Sequence, residues 1–251
     1  MHKAFKTWNP KNESLTDIEK RIHDDISIDK LGERAERYLN TMAYLFPWAL
    51  PKKNSIILEI GSGVGYIMEA AFKRFEPSRI IGLDVAPVMI ENAKKRLERD
   101  GVNDPRIEFL LYDGVNIPIP DNSLDLIYSV ACIQHIPKPY AYNLFFEMLR
   151  ILKPTGFAAF QVLSFSFLPT HVAGEPFRYE VNRQVNGEEG HWHHFYSFDE
   201  MFYILSAGVG AKYIDIYDTD YELYACFGKD RDRVFFNESL PGLTHKASRQ
   251  K

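Results

Sequence analysis

Between Ser55 and Leu163 short apolar runs alternate with longer amphipathic ones. Ser55–Ile60 (SIILEI) is almost continuously apolar and runs into glycines, the pattern of a strand buried on both faces. Val64–Phe75 has helical periodicity and stops before Pro77. Arg79–Asp84 (RIIGLD) predicts a second strand. Pro87–Asp100 predicts a helix, with Pro near its first turn and Gly101 just past its end. Arg106–Leu111, Leu124–Val130 (LDLIYSV) and Phe157–Leu163 predict three more strands. The helix Tyr140–Leu152 lies between the last two, ended by Lys153-Pro154-Thr155-Gly156. This βαβα order with short connections calls for an α/β, doubly wound, Rossmann-like sheet, mostly parallel, with helices on both faces.

The rhythm changes after Leu163. Residues 164–196 are rich in aromatics and His and show no regular period. Ser197-Phe198-Asp199-Glu200 then has capping-box spacing and opens a helix to about Ala207. Tyr213–Tyr217 and Tyr221–Phe227 flank a turn at Asp218-Thr219-Asp220, so a seven-stranded sheet ends in an antiparallel hairpin. Towards the N-terminus, Thr16-Asp17-Ile18-Glu19 reads as another capping box and Leu31–Phe46 as a helix. The expected organisation is a helical cap over 1–50, a ligand-binding domain over 51–229 with an insertion at about 164–196, and a polar tail over 230–251.

Composition narrows the function classes. The chain has 251 residues, of which 45% are hydrophobic and 25% charged, with a net charge of −4, enough for one sizeable α/β core. No basic block marks it for nucleic acid. No apolar run reaches the roughly 18–20 residues of a membrane helix, and the N-terminal basic residues lead into no apolar stretch, so the expectation is a cytoplasmic protein. Cys132 and Cys226 are too few and too far apart for a disulfide framework or a cysteine zinc site.

Candidate chemistry starts at Glu59-Ile60-Gly61-Ser62-Gly63-Val64-Gly65, between a predicted strand and helix. Glycines suit a tight turn that a ligand approaches without a Cβ in the way. A dinucleotide fingerprint needs its third glycine five positions after the first, where Tyr66 stands; the pattern here is E-x-G-x-G-x-G. Asp84 ends the second strand, 23 residues after Gly61. A carboxylate there accepts hydrogen bonds from ribose hydroxyls and disfavours a 2′-phosphate, and it can also cap the helix near Pro87. Asp113-Gly114 follows the third strand, where a carboxylate can meet an adenine amine or simply close a turn.

These residues resemble the ordered motifs of the class I S-adenosylmethionine-dependent methyltransferases, most of all their small-molecule group. The likeness also takes in Leu124–Val130, Gln134-His135-Ile136-Pro137 and Leu152-Lys153-Pro154-Thr155-Gly156; Thr155 departs from the family's usual glycine. It is firm over about residues 50–165 and looser through His194–Glu200 and the hairpin. The resemblance implies S-adenosyl-L-methionine as cofactor. Gly61, Gly63 and Gly65 would line its methionyl part, Ser62 would offer backbone contacts and Glu59 would brace the loop. Asp84 would bind the ribose, Val85 would pack on the adenine, and Asp113 and Gly114 would hold the adenine edge. Ser129 and Val130 would lie beside the sulfonium, while Asp125 reads as structural.

Methyl transfer from a sulfonium is an in-line displacement in which the protein mainly aligns the reactants. A base is needed for a neutral hydroxyl, and His135, five residues past Val130, is the candidate; a loop-shaping role is the alternative. His191, His193 and His194, with Glu188 and Glu189, have metal-ligand chemistry but poor spacing, because adjacent residues on an extended chain face opposite ways. No metal is expected, and His194 is a candidate for the substrate pocket. Phe165, Phe167, Phe177, Tyr179, Trp192, Phe195 and Tyr196, with Arg178 and Arg183, would form a lid or simply cover the sheet. Trp8, Tyr38, Tyr44 and Trp48 would close the pocket from the N-terminal side, and Cys132 reads as a small packing residue. The expected function is methylation of a small-molecule acceptor, at oxygen. A catalytically silent cofactor-binding subunit and another sulfonium-dependent transferase, such as an aminopropyl transferase, remain open.

Overall fold

The computed structural model of the protein describes residues 13–22, 30–165, 181–182, 185–186, 193–219 and 221–230. Trp8, Phe167, Phe177, Arg178, Tyr179, Arg183, Glu188, Glu189, His191, Trp192, Asp220 and the tail from 231 lie outside the described residues.

The apolar runs form the strands they predict: β1 Ile56–Ile60, β2 Arg79–Asp84, β3 Ile107–Leu111, β4 Leu124–Ser129 and β5 Leu152–Ser164. A two-residue strand β6 (Phe195–Tyr196) precedes the hairpin of β7 Tyr213–Asp218 and β8 Glu222–Gly228. The sheet order is β3-β2-β1-β4-β5-β8-β7, with β6 added parallel to the end of β5. The expected seven strands make the main path and β6 is an eighth. β8 is antiparallel to both β5 and β7. Because β1 leads to β2 and β3 on one side and β4 leads to β5 on the other, strand order reverses between β1 and β4. The crevice at the carboxyl ends of those two strands is where open α/β sheets bind ligands.

Two helices precede the sheet, α1 Leu15–Ile22 and α2 Leu31–Leu45; within it lie α3 Tyr66–Phe75, α4 Pro87–Arg99 and α5 Lys138–Ile151, and α6 is Phe198–Tyr203. Neighbouring strand residues point to opposite faces. Leu58 and Ile81 join Leu144, Phe145 and Met148 of α5, while Ile57 and Ile80 join Leu39 and Met42 of α2 and Ala71 of α3. Both sheet faces are thus buried, which is why these strands are continuously apolar.

Three local expectations shift. The N-terminal capping box lies two residues earlier than Thr16: Asp17 N–H donates to Ser14 Oγ (3.2 Å) and Ser14 N–H returns to Asp17 Oδ2 (3.2 Å). At α6, Ser197 does cap Glu200 N–H (3.1 Å), but the Glu200 carboxylate turns instead to Tyr142 Oη (2.7 Å) and Lys138 Nζ on α5. Lys153-Pro154-Thr155-Gly156 is not a turn, because β5 already starts at Leu152, which pairs with Leu124 across a register shift. Pro154 is exposed at this irregularity, where a missing ladder donor is tolerated. Gly156 is needed there, since a Cβ would meet Leu124 O at 2.7 Å.

Candidate functional site

The glycine loop turns back against β2. Gly61 N–H and Ser62 N–H both donate to Leu83 O, at 2.8 and 3.2 Å, and Gly65 N–H donates to Ser62 O at 2.8 Å. Gly61, Gly63 and Gly65 have φ of +73°, +52° and +81°, a left-handed path that suits glycine. Gly61 is also sterically exclusive, since a Cβ there would lie 2.1 Å from Cys132 Sγ. Gly65 caps the start of α3.

Asp84 is buried and faces this loop. Its Oδ2 accepts Gly63 N–H (3.0 Å) and its Oδ1 accepts Ala86 N–H (2.9 Å). Carboxylate oxygens have further lone pairs, so the group can still accept from a ligand. Burial pushes the Asp84 carboxyl up to about 6, against the hydrogen bonds from Ala86, Gly63 and Val85 that pull it down. Glu59 is 2% exposed and takes the Tyr128 hydroxyl at 3.3 Å; burial raises its pKa well above the usual carboxylate range.

A cavity of about 350 Å³ opens beside these groups. Of the residues expected from sequence, Glu59, Gly61, Ser62, Gly63, Gly65, Asp84, Val85, Val130 and His135 line it. Four do not. Asp113 is exposed and closes its own turn, with Oδ1 accepting Val115 N–H (2.8 Å) and Asn116 N–H (2.7 Å), and Gly114 lies in that turn at φ +86°. Tyr112, one residue earlier, supplies the cavity wall. Ser129 is fully buried and its hydroxyl ties β4 to Ile60 O (2.9 Å). His193 lines the cavity in place of His194, whose backbone N–H donates to Gln134 O (2.7 Å). Adjacent residues on an extended chain face opposite ways, and sequence alone does not say which of the two faces in. Asp125 accepts Ile56 N–H and Lys153 Nζ, each at 2.8 Å, a bracing role at the far ends of the strands.

His135 ends a short 3₁₀ turn (Ile133–His135) after β4, and its ring lies 4.8 Å from that of His193. Burial pushes the Cys132 thiol up to about 12, so it is a neutral packing group. From the N-terminal side Leu31, Arg34 and Tyr38 of α2 reach the cavity. Sequence reasoning missed Arg34, Tyr112 and Arg96. Arg96 of α4 is fully buried and holds the loop from behind: its guanidinium donates to Val64 O (2.6 Å), Gly65 O (2.9 Å) and Glu69 Oε2 (2.6 Å), and stacks 4.2 Å over the Tyr66 ring. Its only sequence signal is a cation on the buried face of an amphipathic helix.

Residues 57–156 match a methyltransferase domain family. Over those residues the chain resembles a methyltransferase domain. Over 165 residues it is 28% identical to trans-aconitate 2-methyltransferase of Escherichia coli O157:H7, covering 66% of this chain and 59% of that protein. Over 139 residues it is 30% identical to sterol 24-C-methyltransferase of Pneumocystis carinii, covering 55% of this chain and 34% of that protein. The chain thus spans less than two thirds of either relative. In fold, the chain resembles the crystal structure of a SAM-dependent methyltransferase from Aquifex aeolicus, with a TM-score of 0.57, 19% identity, and coverage of 86% of this chain and 98% of that one. Among the described residues no helix is long and apolar enough to cross a membrane, and no three His, Cys, Asp or Glu side chains gather as for a metal ion.

Proposed function

We propose that this chain methylates a small-molecule acceptor at a hydroxyl oxygen. The observation that carries the reading is one cavity lined by the glycine loop and Asp84 together with His135 and His193. S-adenosyl-L-methionine, when bound, supplies the electrophilic methyl group. The residues fit it. The loop gives a side-chain-free approach at Gly61 and Gly63, Asp84 offers acceptor lone pairs for the ribose, Val85 offers an apolar face to the adenine, and Val130 borders the methionyl end. Ser62 would contribute its backbone, and Glu59, held at the end of β1 by the Tyr128 hydroxyl of β4, would brace the loop. Asp113 and Gly114 would shape the adenine end through their turn, and Ser129 would fix the end of β4 through Ile60. His194 would act through its backbone bond to Gln134, which sets the position of His193.

His135 is the proposed base: its imidazole would take the hydroxyl proton as the oxygen attacks in line. With labelled S-adenosylmethionine and a panel of phenols, enols and amines, turnover is expected on hydroxyl acceptors. His135→Gln should lower that turnover by about 10²–10⁴-fold without changing S-adenosylhomocysteine affinity. Undiminished turnover in the variant, or methylation of amines alone, would contradict the assignment.

Asp84 adds a pH dependence. Its folded pKa of about 6 lies above the unfolded value of about 3.9. Its contribution to the ligand-free fold is therefore fully present below pH ~4 and is lost as pH rises through about 6. Ribose binding favours the ionised carboxylate, so S-adenosylhomocysteine affinity should rise over the same window. Calorimetric titration from pH 5 to 8 checks this, and Asp84→Asn should flatten the profile.

A further inference from the structure

Gln161, towards the carboxyl end of β5, is 1% exposed and lines the cavity. Its Oε1 accepts the backbone N–H of Ala131 at 2.9 Å. Ala131 has φ +51°, a left-handed conformation uncommon for a residue with a side chain, and it starts the loop that carries His135. With the carbonyl end of the amide fixed, the group left to the cavity is the Nε2 amide donor. Gln134, 7% exposed, lines the same cavity, and its Oε1 is buried without a hydrogen-bond partner. Two amides therefore present hydrogen-bonding groups that the fold itself leaves unused, and buried polar groups normally have partners.

Their place in the sheet says which molecule they meet. The cavity runs along the carboxyl edge from Asp84 on β2, past the glycine loop after β1, to Gln161 and Leu163 on β5 and Glu222 on β8. In the proposed function, on which this inference rests, the cofactor takes the β2–β1 end. The β5 end is left for the acceptor. Of the strand residues there, the charged one is Glu222, whose Oε2 accepts the Tyr224 hydroxyl at 2.6 Å, while Arg34 reaches the same cavity from α2 with its guanidinium on the Tyr38 hydroxyl at 3.4 Å. A carboxylate wall disfavours an anion, while neutral amides suit a neutral dipole.

We propose that Gln161 and Gln134 form the acceptor subsite, and that it selects an uncharged acceptor with a carbonyl oxygen next to the methylated hydroxyl. Gln161 Nε2 donates to the carbonyl oxygen; Gln134 takes a neighbouring donor.

The test uses the whole chain saturated with S-adenosylhomocysteine, titrated with salicylamide and with salicylate, which share one skeleton and differ in charge. S-adenosylhomocysteine binding is measured first; its absence sinks the proposed function, whereas its presence leaves the subsite to be judged alone. Salicylamide should bind at least about tenfold more tightly than salicylate, and Glu222→Gln should narrow that gap. Gln161→Glu is the decisive variant, since a carboxylate still accepts Ala131 N–H but offers no donor to the cavity. It should keep S-adenosylhomocysteine affinity and lose salicylamide at least about tenfold. Equal or tighter salicylate binding, no salicylamide binding, or unchanged salicylamide binding in Gln161→Glu would each overturn the proposal.

Discussion

Replacing Arg96 by Met should destabilise the chain by about 3–5 kcal/mol, the range for breaking a buried ion pair from one side. The guanidinium has no solvent access, and its partner Glu69 is only 13% exposed. Its removal leaves that carboxylate without its buried cation, although Lys73 still reaches the other Glu69 oxygen from the surface. It also orphans the Val64 and Gly65 carbonyls, and orphaned buried acceptors cost about 1–3 kcal/mol each, not additively. Because both carbonyls belong to the glycine loop, S-adenosylhomocysteine affinity should fall together with stability. Denaturant unfolding gives the first quantity and calorimetric titration the second. A loss below about 1 kcal/mol with unchanged affinity would mean that the loop holds its shape without Arg96.

Gly61→Ala should have the larger effect on the ligand. The left-handed backbone alone costs about 1–2 kcal/mol for a residue with a Cβ. The greater penalty is steric, with Cys132 Sγ 2.1 Å and Cys132 Cβ 2.6 Å from the new atom. Either the loop or the turn carrying His135 has to move. S-adenosylhomocysteine affinity should drop at least about tenfold, or about 1.4 kcal/mol, with stability falling as well. Cys132→Gly in the same chain removes both clashing atoms but not the backbone strain, so the double variant should recover part of the loss. If Gly61→Ala alone bound normally, the loop would not be a tight cradle for the ligand.

The strands and the site differ in how far sequence exposes them. Continuous apolar runs such as IILEI and RIIGLD determine a strand buried on both faces, and the loop glycines and Asp84 announce themselves by residue type and position at strand ends. Three features escape that reading for definite reasons. Lys153-Pro154-Thr155-Gly156 has turn composition, yet pairing of Leu152 with Leu124 draws it into β5, a tertiary contact overriding local preference. Asp113 sits where an adenine contact is expected, but its carboxylate is satisfied by Val115 and Asn116 within two or three residues. Arg96 acts on Val64, 32 residues away, and helical periodicity does not report which loop a buried cation will meet.

The crevice between β1 and β4 is expected to hold S-adenosylmethionine through the glycine loop and Asp84. Thermal unfolding with S-adenosylhomocysteine, and separately with NAD, each at about 100 times a micromolar-range Kd, tests it most directly. A ligand that binds only the folded chain at that excess adds about 2.7 kcal/mol, which appears as a raised midpoint. The predicted result is a rise with S-adenosylhomocysteine alone, abolished in Asp84→Ala. No rise on a folded sample, or a rise with NAD instead, would contradict it.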